Sequence, residues 1–318
     1  MKHRPANEGD AVMGWKELVR KIAGKIAGVN KLQEQIDGLH YVLNACVDIR
    51  KFPKATGAVR ELQECDILLL KIFDTVCRKH GLNYWLDFGT LLGAVRHEGF
   101  IPWDDDLDVA MPRADFNRAR TVLCEHLQRY GLQAEEDIPL VRIGIGYKHK
   151  ETGIWLDVFS ADECSADPRD PAQRQALAEN ARKYKKYYKK NGRKKSQDIL
   201  LKQKMKMIPA LTRREKTVSM IFCPEMEERL YAWNLGTIFP LQEVAFENGS
   251  FYAPAKLHEY LVEEYGTNYM DFPKYGWLHH GDASGSLVDW ARNSGTDMGV
   301  IKKELEDIYA RCLEECGQ

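Results

Sequence analysis

Residues 100–113 read Phe-Ile-Pro-Trp-Asp-Asp-Asp-Leu-Asp-Val-Ala-Met-Pro-Arg, with four aspartates (Asp104, Asp105, Asp106 and Asp108) inside five positions, directly before an apolar run. Carboxylates held so close raise one another's pKa unless positive charge stands among them. From Asp106 onward, charged and apolar residues alternate and then give way to Val109-Ala110-Met111, so Asp106 and Asp108 face the same side of one strand end. Two carboxylates on one face make a hard-oxygen clamp suited to Mg²⁺ or Mn²⁺. For this motif taken alone, a solvated acidic turn is the competing reading.

The segments on either side decide between them. Upstream, Leu62, Cys65, Ile67, Leu69, Leu70, Ile72, Phe73 and Val76 recur at helical spacing, which predicts a helix from Val59 to His80 that ends at Gly81. A strand is expected over Asn83–Phe88, stopped by Gly89-Thr90, with Thr90 capping a helix through Leu91–Val95. A helix that begins at a Gly-Thr turn offers free N–H groups to an anion, and Arg96 and His97 follow on the same segment. Downstream, residues 116–127 have helical periodicity, and Val141–Ala161 reads as a hairpin turning at Lys150–Gly153. Asp157 stands alone in its second, apolar strand. An isolated buried acid destabilises unless something pairs with it, so Asp157 is either a third metal carboxylate or a core aspartate bonded to backbone N–H groups.

Composition sets wider bounds. A chain of 318 residues with 44% hydrophobic residues can hold a large core, and a net charge of −1 argues against a generally basic nucleic-acid binder. Its eight cysteines are scattered without a CxxC pair and read as reduced; Cys312 and Cys316 lie one helical turn apart and read as a plain helix face. No apolar run approaches the ~20 residues of a membrane span. The expectation is a cytoplasmic protein, soluble or peripheral on the inner face of the membrane.

Two segments lie outside this catalytic pattern. In residues 1–57, Trp15, Leu18, Ile22, Ile26 and Val29 form an apolar stripe flanked by Lys16, Arg20, Lys21 and Lys25, and Leu32, Ile36, Leu39 and Leu43 continue it at coiled-coil spacing. Three uses fit: lying on an anionic membrane, pairing with a second copy as a homo-oligomer, or packing on the domain. Pro53 and Gly57 mark the start of a catalytic domain over 58–318. A helical insertion over 172–216 is strongly basic, with tyrosines among its lysines; either it meets an anionic polymer or membrane, or it is the solvated face of a packed helix.

The stretch Tyr84–Phe116, YWLDFGTLLGAVRHEGFIPWDDDLDVAMPRADF, together with Trp155–Phe159 (WLDVF) and, weakly, residues 251–270, resembles the LicD family of phosphocholine transferases, whose animal relatives include fukutin and fukutin-related protein. The resemblance implies an α/β (α+β) fold of nucleotidyltransferase type, a mixed sheet flanked by helices. It further implies a Mg²⁺-dependent enzyme that moves a phospho-alcohol, phosphocholine first, from a CDP-linked donor such as CDP-choline to a hydroxyl of a cell-surface glycan, often lipid-linked, releasing CMP. On that reading Asp106, Asp108 and Asp157 hold the metal, Gly89 and Thr90 hold a phosphate, Arg96 stabilises the moving phosphate, Lys148 is a weaker phosphate ligand, and Asp104 and Asp105 support the site.

Two other functions share these features: a nucleotidyltransferase that moves NMP and releases pyrophosphate, and a non-catalytic membrane adaptor. A calcium loop over Asp104–Asp115 fails at Val109, which stands where the loop needs Gly. Tyr147, Trp155, Tyr252, Trp277 and Trp290 are the aromatics available for a quaternary ammonium, although most such residues serve cores. The polar cluster His279–Asp282 reads as a surface loop.

Overall fold

The apolar spacings of the N-terminal region and of residues 59–80 both become helices. The computed structural model describes residues 8–138, 142–147, 152–192, 194–212, 217–222, 230–273 and 297–317. The chain divides into two compact units, one containing the N-terminal helix α1 (Glu8–Cys46) with the chain at Asp271, the other containing residues 52–270 and the C-terminal helix.

In the first unit, Val29, Leu32, Ile36, Leu39 and Leu43, the described part of the stripe read from sequence, are exposed. The Asn44 side-chain oxygen accepts the Phe272 N–H at 2.7 Å. No helix among the described residues is long and apolar enough to cross a membrane.

The second unit is built on α2 (Gly57–His80), whose buried face carries Leu62, Leu69, Phe73 and Val76. It stops where Gly81, at φ +58, takes the left-handed conformation that glycine adopts without penalty. β1 (Trp85–Leu86) is shorter than the expected strand because the chain already turns into α3 (Phe88–His97). Next come β2 (Leu107–Pro112), α4 (Arg113–Gln128), β3 (Leu132–Ile138), β4 (Arg142–Tyr147) and β5 (Trp155–Cys164). These strands lie in the order β1-β2-β5-β4-β3, and only the β2–β5 pairing is parallel. Helices flank this mixed sheet, as the α/β expectation required.

The basic insertion folds as α5 (Pro171–Asn191) and α6 (Gln197–Met207). With β6 (Ser219–Phe222) and β7 (Tyr231–Asn234), which extend the sheet from the far end of β5, it encloses a second apolar cluster containing Leu177, Ala181, Tyr184, Ile208 and Ile221. Tyr184 is therefore core, and Lys185 and Lys204 are buried with it while Lys183, Lys189 and Lys190 face outward. Lys204, itself buried, meets Asp162 at 3.0 Å, and Arg113 meets the same carboxylate at 2.7 Å. Burial alone would raise the Asp162 pKa, but these two cations hold it well below the usual range. The unit continues through α7 (Leu235–Ile238), the hairpin β8 (Gln242–Phe246) with β9 (Gly249–Ala253), α8 (Leu257–Tyr265) and α9 (Met298–Cys316).

Gly144 and Gly146 on β4 leave room for the Trp155 indole, which lies across both; a methyl group at either would overlap the ring. Gly144→Ala should therefore destabilise the fold by about 1–3 kcal/mol, the usual cost of overpacking. A lowered urea midpoint with an unchanged slope would report this, and an unchanged midpoint would contradict it.

Candidate active site

Parallel pairing of β2 with β5 sets Asp108 directly beside Asp157. Neighbouring strands run about 4.8 Å apart, so registered residues of a parallel pair present adjacent carboxylates on the same face. Asp106 precedes β2 by one residue, and the carboxylate oxygens of Asp104, Asp105 and Asp106 lie within 4.8 Å of one another. The acids picked out by the sequence thus converge.

α3 closes one side of the cluster. Its N-cap is Asp87 and not Thr90: the Leu91 N–H bonds to the Asp87 carbonyl at 3.0 Å as the first rung of the helix. The cap fell earlier than expected because Phe88 enters the helix in the left-handed region, at φ +39. Thr90, one turn in, has a different task. Its Oγ1 accepts the Asp108 N–H at 2.8 Å, tying the helix to the strand that carries the acid. Gly89 lies over Asp104, where a Cβ would stand 2.6 Å from Oδ2. Arg96, 5% exposed, donates to the Tyr269 carbonyl at 3.2 Å. Burial lowers its pKa to about 10, while the nearby Tyr265 and Asp104 pull it upward.

Asp157 is 7% exposed and held on both oxygens: Oδ2 accepts from Arg142 Nη1 at 2.7 Å and Oδ1 from Trp155 Nε1 at 2.9 Å. Side chains of neighbouring strand residues thus hold the buried Asp157 carboxylate. Sequence reasoning missed Arg142; a single arginine opening an otherwise apolar strand was the available signal.

Three more acids join the cluster from distant sequence. Asp66, on α2, is fully buried, with Oδ1 accepting the Trp155 N–H at 3.2 Å and Oδ2 meeting no donor. It stands directly before the apolar run Ile67–Leu70, a weak signal beside Glu61 and Glu64. Asp87 is buried and accepts from Tyr260 Oη at 2.7 Å. Both Glu264 carboxylate oxygens, on α8, are shielded from solvent, and the carboxyl meets that of Asp87. Burial first, then Asp87 and Asp108, push the Glu264 pKa well up. Asp108 is likewise pushed well up by burial, then by Asp106, Asp157 and Asp104, and Asp104 by burial, then by Asp106 and Asp105.

Such a concentration of hard oxygen donors, several orphaned or forced toward the neutral form, fits a divalent cation of the Mg²⁺ or Mn²⁺ class. Lys148, His279–Asp282, Trp277 and Trp290 lie outside the described residues. Of the other aromatics, Tyr147 is core and bonds Glu304, Trp155 packs on the β4 glycines, and Tyr252 carries the Arg78 guanidinium 4.2 Å from its ring centre. None of these three forms a cage beside the acids. Two half-buried rings do stand there: Phe159, two residues beyond Asp157 on the same strand face, and Phe88, 5.5 Å away edge to face.

Residues 81–160 match the family model described as LicD/FKTN/FKRP, nucleotidyltransferase domain. The lipopolysaccharide cholinephosphotransferase LicD of Haemophilus influenzae is 32% identical over 124 residues, 35% of this chain and 47% of that protein. An uncharacterized protein of Rickettsia prowazekii is 49% identical over 101 residues, 30% of this chain and 38% of its own. Human ribitol 5-phosphate transferase FKRP is 44% identical over 48 residues, 15% of this chain and 9% of that enzyme. The chain spans less than half the length of each of these relatives. The stretch holding α3, β2, α4 and the β4–β5 pair is a LicD-family domain.

The acids predict a pH response. Burial raises the folded-state pKa of Asp66, Asp104 and Asp108 above their unfolded range of about 4, so their neutral forms contribute stability below that range, which is lost as pH rises through the raised folded values. Metal-free protein should melt lower at pH 8 than at pH 6, and added Mg²⁺ should raise the melting temperature more at pH 8. Asp108→Asn should shrink both effects. Melting that ignores both pH and Mg²⁺ would contradict the electrostatic account.

Proposed function

We propose that this LicD-family domain serves a transferase that moves a phospho-alcohol, phosphocholine first, from a CDP-linked donor to a hydroxyl of a cell-envelope glycan. The observation that carries the proposal is the register of Asp108 against Asp157, with Asp106 at the same strand end, beside the N-terminus of α3 and the buried Arg96. Asp106, Asp108 and Asp157 would hold Mg²⁺ or Mn²⁺, which when bound supplies neutralisation of the charge that shields a pyrophosphate from attack.

The remaining work belongs to the chain. Gly89 and Thr90 lie in the first turn of α3, ahead of its first hydrogen-bonded rung, and their N–H groups are suited to a donor phosphate. Arg96 opposes charge on the moving or leaving phosphate. Asp157, already shared between Arg142 and Trp155, serves better as a fixed ligand than as a proton acceptor, so the acceptor hydroxyl's proton falls to Asp108 or Asp106. The hydroxyl oxygen bonds to the phosphorus bearing the alcohol, the bond from that phosphorus to the CMP oxygen breaks, and CMP leaves. The rings of Phe88 and Phe159 offer apolar faces to a choline ammonium, although Arg142 stands 6.0 Å over Phe159. The names of the Haemophilus and human relatives, a cholinephosphotransferase and a ribitol 5-phosphate transferase, support the phospho-alcohol class.

The exposed stripe of α1 suits a peripheral position on the inner face of the membrane, near a lipid-linked acceptor. A homo-oligomer through α1 is the other use of that face.

The test is product detection by mass spectrometry with Mg²⁺, a panel of CDP-alcohols and NTPs, and a glycan acceptor, with and without anionic vesicles. The proposal expects CMP release with an acceptor gaining a phospho-alcohol, and at least a hundredfold less product from Asp106→Ala. A chain lacking residues before Pro53 should pellet less with vesicles yet still turn over soluble acceptor. Pyrophosphate released from an NTP would instead make the protein a nucleotidyltransferase.

A further inference from the structure

Away from the acids, the last turns of three helices bring together a different set of donors. Cys312 and Cys316 lie four residues apart on α9, which places both thiols on one helix face. His126, in the last turn of α4, meets that face, and its ring nitrogen and the two sulfurs lie within 4.8 Å of one another. His126 and Cys312 are buried and Cys316 is half-buried. The His126 Nε2 is shielded from solvent and has no hydrogen-bond partner. At the end of α2, His80 stands edge-on to His126 with ring centres 5.5 Å apart, and its Nε2 is also shielded and without a partner.

Two orphaned imidazole nitrogens at one place are costly, since each buried acceptor forfeits its bond to water. Burial first, then Lys79, His80 and Arg129, keep the His126 pKa low; burial, Lys79 and Arg118 do the same for His80. Both rings are therefore neutral near pH 7 and present a lone pair. Burial, then Cys316, push the Cys312 thiol up to about 12, an unfavourable thiolate that a bound cation would reverse.

We infer that His126, Cys312 and Cys316, with His80 as the fourth donor, form a structural site for a soft divalent metal of the Zn²⁺ class, separate from the acidic cluster. Thiolate and imidazole donors favour Zn²⁺ where carboxylates favour Mg²⁺. A tetrahedral S₂N₂ set with metal–sulfur bonds of about 2.3 Å needs its sulfurs about 3.8 Å apart; both sulfurs and the His126 nitrogen already lie within 4.8 Å of one another, and the His80 ring would turn in from 5.5 Å. The surroundings are already organised around the end of α9. Lys79 Nζ donates to the Glu315 carbonyl and Tyr130 Oη to the Glu315 side chain, each at 2.7 Å. Metal binding here would staple the C-terminal helix to the ends of α2 and α4.

The test uses the full chain, grown with zinc and purified without chelators, its metal content measured by inductively coupled plasma mass spectrometry. A second arm replaces the metal with Co²⁺ and records the visible spectrum. The site predicts about one zinc per chain and, with cobalt, a thiolate charge-transfer band with the intense ligand-field bands of a tetrahedral centre. Cys316→Ser should lose at least tenfold in zinc content and lose the charge-transfer band, whereas Asp106→Ala should keep both. His80→Gln should weaken zinc retention. Wild-type chain that carries no zinc and stays spectrally silent with Co²⁺ would overturn the inference, as would zinc retained in full by Cys316→Ser, or an intact mass two hydrogens short, showing a Cys312–Cys316 disulfide. Should Cys316→Ser fail to fold, the wild-type cobalt spectrum alone decides.

Discussion

The parallel register of β2 on β5 is the constraint around which the larger unit is arranged, because it fixes Asp108 beside Asp157 at the edge of an apolar core. Two carboxylates in that position repel, and their neighbours make the repulsion worse: Asp87, Asp104, Asp106 and Glu264 all add to it, while Asp66 presses on Asp104, Asp105 and Asp106. Against them stand Arg142, paired with Asp157, and Arg96, near Asp104. Acids gathered in this way would favour a multivalent cation and the phosphates it would accompany.

Much of the surrounding structure holds that arrangement still. Thr90 bonds the backbone of Asp108, Gln63 donates to the Asp104 carbonyl at 2.9 Å, and the Asp87 N–H bonds the Asp108 carbonyl. Trp155 touches both ends of the problem, its backbone N–H held by Asp66 and its indole N–H holding Asp157. It can lie flat there only because β4 has glycine at 144 and 146. A packing choice on one strand thereby orients a carboxylate on the next.

Local pattern made the clustered aspartates, the α2 helix and the hairpin strands legible, since each depends on periodicity or on residues close in sequence, while the mixed sheet came with the family resemblance. The resemblance carried by Tyr84–Phe116 supplied the family. Contacts between distant segments could not be read this way. Asp66 and Glu264 reach the cluster from α2 and α8, and nothing in their own neighbourhoods names Asp108 as the partner. Thr90 looked like a cap because Gly-Thr commonly starts helices, yet the left-handed Phe88 moved the start to Asp87. The tyrosines of the basic insertion looked available to an anionic ligand, while Tyr184 in fact closes a small core. His126 and Cys312 are far apart in the chain, and only the packing of α4 and α9 brings them together.

The central claim is that the acids of β2 and β5 form a divalent-cation site, and electron paramagnetic resonance titration with Mn²⁺ tests it most directly. The account predicts that wild-type chain removes free Mn²⁺ signal, that Mg²⁺ competes it back, that binding weakens as pH falls and the raised carboxyls take up protons, and that Asp108→Asn and Asp106→Ala each abolish it. A wild-type chain that leaves the free Mn²⁺ signal untouched at pH 8, or variants that bind as well as wild type, would contradict it.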